Sequence, residues 1–406
     1  MSATAEAAPT RLAPLRVPAF RRFALAHLIS ATGSAMAPLA LAYAVIGQGG
    51  GAGSLGVVLA TNAIPTILLT VVGGVLADRM SRSRILFLGN LLAAAAQGAL
   101  AVLVATQQAT TASIAACGFV SGTAVAFKDP AATGVVAQVV AAEHLQQANA
   151  LLRLPGNAVK VLGPVVGGLI VAAGGPAWAL SWDAVSFLVA AILLLGLRLS
   201  APVPTSGVLA DLRGGWSSFW SRTWLWTYTA AGTVVVAAWL AGFQLLGPVV
   251  AASHYSGARS WGLVQGAFAF GLLAGTVVCL RWKPYRLLAV AVVTGATLCL
   301  PPAALGLGLT LPWVLLGAVL AGVGLDIAIV AWTTALQQHV PAEELGRMSA
   351  LNSVGERLAV PLGYLAVALA AHAWADRTML LVCAGVIAAA TAVNLCVRDV
   401  YRVNRL

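Results

Sequence analysis

The feature that most restricts this chain is a succession of roughly twelve long apolar runs. Each is close to the roughly twenty residues a helix needs to cross the hydrocarbon core of a bilayer. They cover residues 23–46, 55–77, 85–105, 112–139, 148–173, 177–198, 224–251, 260–280, 287–306, 311–338, 348–372 and 375–397. Composition agrees, with 60% hydrophobic and 9% charged residues and a mean hydropathy of +0.92, where soluble domains carry about a quarter charged residues. The chain therefore reads as an all-α integral membrane protein. A net charge of +11 would raise nucleic acid as a partner for a soluble protein. Here the basic residues stand singly between apolar runs, so the lipid bilayer is the expected partner and nucleic acid is not. Cys117, Cys279, Cys299, Cys383 and Cys396 all fall within apolar runs and are odd in number, which argues for small packing residues over a disulfide framework. The polar start, Met1 to Pro14, lacks the pattern of a secretory signal, so the first span is expected to stay attached.

Lys and Arg gather on the cytoplasmic side of membrane proteins. Arg11, Arg16, Arg21 and Arg22 precede the first span, and Arg79, Arg82 and Arg84 follow the second. Arg198, Arg213 and Arg222 follow the sixth, and Arg281, Lys283 and Arg286 the eighth. Arg347 follows the tenth, and Arg398, Arg402 and Arg405 close the chain. The loops of the other side hold only Arg259 and Arg377. Both termini are thus expected in the cytoplasm, with the protein in a bacterial cytoplasmic (inner) membrane. The organisation that follows is a tail (1–22), a six-helix bundle (23–199), a linker (200–222), a second six-helix bundle (223–397) and a tail (398–406). Within the linker, "LADLRGGWSSFW" alternates in a roughly helical pattern, as a segment lying on the membrane surface would.

The two bundles are related. "QVVAAEHLQQANAL" at 138–151 and "QHVPAEELGRMSAL" at 338–351 agree without a gap at Gln138, Val140, Ala142, Glu143, Leu145, Ala150 and Leu151. At the same offset Gly122 pairs with Gly322, Thr133 with Thr333, Leu162 with Leu362 and Gly163 with Gly363. Because both copies follow even-numbered spans, the halves face the same way and are related about an axis along the membrane normal.

The loop after the second span, "GGVLADRMSRSR", fits G-x-x-x-D-R-x-G-R-x-R through Gly74, Asp78, Arg79, Arg82 and Arg84, with Ser81 in place of the glycine. This pattern resembles the major facilitator superfamily. The resemblance implies twelve helices in two pseudo-symmetric halves and a charge network from these residues that holds one state of an access cycle. "LQQANALLRLPGNAVKVLGPVVGG", "WALSWDAVSFL" and "ALQQHVPAEELGRMSALNSVGERLAVPLGY" resemble its drug and siderophore exporter branch. Gly163, Pro164, Gly167 and Gly168 match the end of the helix 5 pattern of antiporters. Relatives of that branch often carry an acid in the middle of helix 1, where this chain has Ser34, so no coupling role carries over to that position.

Ionisable residues inside spans are costly and mark function or buried pairing. Here they are Lys128, Asp129, Arg153, Lys160, Asp183, Asp326, Glu356 and Arg357. Arg153 and Lys160 share a helix face, from which either could reach Asp129. Arg357 can satisfy only one of Asp326 and Glu356, which leaves the other carboxyl free to exchange protons. Asp326, or failing that Glu356, is accordingly expected to carry a coupling proton, with Asp129 a further candidate. The surplus positive charge of Lys128, Arg153 and Lys160, together with Arg357, is expected to meet a polar or anionic part of a substrate. Tyr43, Phe127, Trp239, Phe243 and Trp332 are candidates to stack on it, with core packing as the alternative. His27 reads as a satisfied polar residue rather than a relay. No metal-ligand spacing, GxSxG or nucleotide-binding loop occurs, so the chain is not read as an enzyme, and no cofactor, metal or direct ATP drive is expected. The preferred reading is a monomeric, proton-driven exporter of a small amphipathic molecule. A nutrient importer and a non-transporting membrane receptor are its rivals.

Overall fold

The computed structural model describes residues 13–133, 135–141, 144–197, 199, 219–282, 284–340 and 342–405. Twelve long helices organise these residues. In the first half they are α1 (Pro18–Gly47), α2 (Ala52–Arg79), α3 (Arg82–Ala105), α4 (Thr111–Thr133), α5 (Leu145–Gly174) and α6 (Pro176–Leu194). In the second half they are α7 (Thr223–His254), α8 (Ala258–Arg281), α9 (Leu287–Gly306), α10 (Leu311–His339), α11 (Ala342–Ala370) and α12 (Asp376–Leu395). Eleven are long and apolar enough to cross a membrane, and the apolar part of α11, Arg357–Ala370, is shorter. On either side of residue 134, which lies outside the described residues, the fourth expected span is helical over Thr111–Thr133 and Val135–Val139. Most of the linker, including the amphipathic stretch up to 218, lies outside the described residues.

Two helices depart from regular α geometry for local reasons. α9 tightens to a 3-10 turn at Ala296–Cys299. It is followed by Pro301 and Pro302, which donate no backbone hydrogen bond and so cannot continue the preceding ladder. α7 widens to a π-helix over Leu240–Leu246, beside a dense aromatic cluster. The α5–α6 connection is one residue, Gly175, whose φ of 86° lies in the region that glycine enters without penalty.

The internal repeat appears as matched packing. Gly122 of α4 lies against the Asn62 carbonyl of α2, and Gly322 of α10 lies against the Phe268 carbonyl of α8. Gly163 of α5 meets Ala35 of α1, and Gly363 of α11 meets Ala237 of α7. Helix pairs α2–α4, α3–α6 and α1–α6 recur as α8–α10, α9–α12 and α7–α12. At each crossing a glycine lets two backbones approach, which is how helices associate where lipid leaves little hydrophobic drive.

The halves touch along α2–α11 and α5–α8. Every such contact named here lies near the face opposite the arginine-rich loops. Gly53 and Gly56 of α2 pack on Tyr364, Ala368 and Ala371 of α11. Gly168 of α5 packs on Ala258 and Gly262 of α8. The Tyr43 hydroxyl of α1 donates to the Pro248 carbonyl of α7 at 3.4 Å. Toward the basic face the same helices part. Arg153 and Lys160 of α5 and Arg357 and Leu358 of α11 are exposed there. Neither α4 nor α10 packs across the halves among the described residues. The molecule is therefore sealed at one face and cleft at the other.

Candidate functional site

The cleft carries its charge on the first half. Lys128 and Asp129 sit near the basic end of α4. His27 lies on α1, within electrostatic reach of both of them and of Lys160 from α5. Asp129 is exposed and also feels Arg357 across the cleft. The expected pairing of Asp129 with Arg153 or Lys160 is absent; the only salt bridge among the described residues joins Arg402 to Asp399 at 3.3 Å. The reason is geometric: α5 leaves both cations exposed rather than turned onto α4.

Behind this cluster the first-half bundle is hollow. A cavity of about 290 Å³ is lined by His27, Ser30, Ser34, Asn90, Lys128 and Asp129, with Phe23 and Phe187 among its apolar walls. The Lys128 stem runs over Gly89, and its ammonium stands 4.0 Å from the centre of the Phe187 ring, a cation–π contact. Asp183 of α6 is only 1% exposed and is held close to α1, where a side chain at Gly33 would collide with it. Ser34 lies beside Asp183 on the wall of the same hollow. The helix 1 position without an acid thus faces an acid supplied by α6.

The remaining candidates fall elsewhere. Asp326 accepts a hydrogen bond from the Thr276 hydroxyl at 2.9 Å, between α10 and α8, apart from the first-half cluster. The Glu356, Asp78 and Arg79 side chains and Gly74 lie outside the described set. Arg84 is exposed, and the Arg82 Nε is buried without a partner. Ser81, which replaces the pattern's glycine, bonds through its hydroxyl to the Leu199 carbonyl at 2.9 Å and to Ser83 at 2.8 Å, so the loop is pinned to the end of the first half. Gly163 and Gly167 pack on α1, and Pro164 and Gly168 on α8, which makes this stretch of α5 part of the seal.

The aromatic candidates pack in the core. Trp239 and Phe243 stack on each other at 4.2 Å within a cluster that includes Trp261 and Phe268. Trp332 is stacked on Tyr228 at 4.1 Å and is 8% exposed. Phe127 packs in the basic-side core of the first half, and Tyr43 belongs to the seal. Burial of a large ring between helices gains more than its exposure to a wet cleft, which accounts for these placements. Sequence reasoning missed Asn90, Gln97 and Phe187, and set aside His27 and Ser34, which also line the hollow of the first half. The amides were the available signal, because a polar side chain inside an apolar span needs a buried partner or a wet space.

Two like-facing six-helix bundles around a charged cleft, sealed at one face, define a membrane transporter. The chain belongs to the Major Facilitator Superfamily, whose model matches residues 23–364. It is 25% identical over 365 residues to the enterobactin exporter EntS of Salmonella typhi, covering 85% of this chain and 84% of that one. It is 24% identical over 364 residues to the EntS of Escherichia coli O6:K15:H31, with the same coverage. Among solved structures it resembles the nucleoside transporter NupG, with a TM-score of 0.73 and 12% identity over 93% of this chain and 98% of that one. It also resembles a bacterial homologue of the iron transporter ferroportin in its inward-facing state, with a TM-score of 0.72 and 19% identity over 94% and 98%. The family and these neighbours are membrane transporters, and the chain is a transporter rather than an enzyme.

Proposed function

We propose that this protein is a proton-coupled exporter of a small amphipathic molecule, a drug or a siderophore-like product with an anionic part, working by alternating access as a monomer. The observation that carries this reading is the cleft itself. It is closed at one face and opens at the other onto His27, Lys128, Asp129, Lys160 and Arg357, a cationic surface with a single described acid among them. The basic face is cytoplasmic on this reading, so the cleft loads from the cell interior. The exporters among its relatives support the direction.

A proton crossing 100 mV supplies about 2.3 kcal/mol, enough for a substrate gradient approaching fiftyfold at about 1.4 kcal/mol per decade. Asp129, at the mouth, is placed to meet protons from the open side. Asp326 and Glu356 remain candidates on the second half. The test is growth of a host stripped of its own pumps, challenged with antibiotics and siderophores with and without an uncoupler. Protection that the uncoupler removes supports the reading. Faster killing on expression, or protection indifferent to the uncoupler, contradicts it.

A further inference from the structure

A second chamber, of about 180 Å³, lies deeper in the first half. Ser34, Asn62, Gln97, Cys117, Ser121 and Asp183 provide its polar lining. It shares Ser34, Val125 and Phe187 with the cleft-side cavity, so these three residues are the wall between them. Ser34 stands about 24 Å along α1, near the middle of the membrane.

The lining leaves buried acceptor atoms without donors. Asp183 is almost wholly buried, yet its Oδ1 has no hydrogen-bond partner, and neither has the Gln97 Oε1. Asn62 donates one amide N–H to the Gly118 carbonyl at 2.9 Å. An ionised, buried carboxylate facing other acceptors is an expensive arrangement. A proton on Asp183 removes the charge and supplies the missing donor in one step.

The surroundings leave one direct counter-charge. α4 brings Lys128 beside Asp183, and also Asp129 and Cys117; α1 brings His27, which answers to Lys128, Asp129 and Lys160; α3 brings only the amides Asn90 and Gln97. Lys128 is held over Phe187, on the dividing wall, with the open cleft on its other side.

Resting on the reading of proton-coupled transport, we propose that Asp183 takes up and releases the transported proton, and that Lys128 is its charge partner. When Asp183 is ionised, Lys128 neutralises it across the wall. When a proton binds, the Lys128 charge is released to an anionic group in the cleft. Substrate and proton then compete for one cation, which is what an exchange of one for the other requires. α1 joins this site to the seal, since the helix that bears Ser34 also bears Tyr43.

Infrared difference spectroscopy of the purified full chain during a pH change tests the assignment without a known substrate. A protonated-carboxyl band that titrates is expected in the wild type and in Asp129→Asn and Asp326→Asn, shifted in frequency in Asp183→Glu and missing in Asp183→Asn. In Lys128→Met the proton affinity reported by this band should rise at least tenfold, because the competing cation is gone. A band that survives Asp183→Asn, a band that disappears in Asp129→Asn or Asp326→Asn instead, or an affinity unmoved in Lys128→Met overturns the proposal. Those failures would leave proton-driven export standing on Asp129, Asp326 or Glu356. An intact Asp183 band beside uncoupler-insensitive protection would sustain the proton site and refute the export mechanism.

Discussion

The two halves share a skeleton and differ in what fills it. At the repeat offset, buried Asp183 of the first half falls on Cys383 of the second, and Lys128 falls on Ala328. The first half holds two polar chambers, whereas the cavity that Cys383 lines in the second half is walled by apolar side chains, and Trp239 and Phe243 of α7 pack into an aromatic cluster with Trp261 and Phe268. Glycine contacts, by contrast, are kept in both, as Gly122 and Gly322 show. Duplication conserves the requirement for close helix approach, because that is set by the backbone. Charge is not needed for packing and can be concentrated where the chemistry is done.

The harshest way to break this contrast is to write the first half's acid into the second. Cys383→Asp buries a carboxylate beside Gly242 with no Lys128 equivalent, and an uncompensated buried charge costs about 3–5 kcal/mol. We expect loss of the folded peak in fluorescence-detected size exclusion, with Cys383→Ser nearly normal. Retention of that peak in the aspartate variant would show that the second half is wetter than its packing suggests.

Next in size is a division of labour. Trp239→Ala opens a core cavity and should cost about 3–5 kcal/mol, read as a lower melting temperature in detergent, while flux per folded molecule holds. Lys128→Met should do the reverse, with at least tenfold less export per folded molecule and a far smaller fall in melting temperature, because Asp183 takes a proton once its cation is gone. If both variants fail in the same assay, the halves are not specialised as described.

A smaller effect is expected at the seal. A side chain at Gly168 would meet the Ala258 carbonyl and the Gly262 backbone, the nearest at 2.8 Å. Gly168→Leu should therefore disfavour closure by about 1–3 kcal/mol. Greater labelling of cysteines placed in the cleft from the sealed side would report it. Smallest of all is Arg402→Ala. The exposed pair with Asp399 is worth about 0–1 kcal/mol at most, so melting should not change measurably.

Much of the fold was legible because a bilayer imposes it. Span length is a direct readout of hydrocarbon thickness, and Gly163 and Gly363 mark equivalent crossings in the sequence itself. The site was legible only in part. Asp183 stood out as an ionisable residue in a span, but its meaning depends on Ser34, Gln97 and Lys128, which three other helices bring to it. Trp239 and Phe243 have the composition of a stacking platform, yet they belong to the core, since nothing local says which way a helix turns. The π-turn of α7 has no signature in "LAGFQLL", because it arises where rings from different segments must pack together.

The most direct test of the central claim, two halves rocking about a fixed charged site, is a pair of spin-label distances across the interface. One pair joins Gly51 with His372 at the sealed face, and the other joins Arg153 with Leu280 at the open one. The account predicts a short first and a long second distance at rest, with a second population in which the lengths are exchanged once a pH gradient is imposed. Two distances that never change, or that lengthen and shorten together, would contradict it.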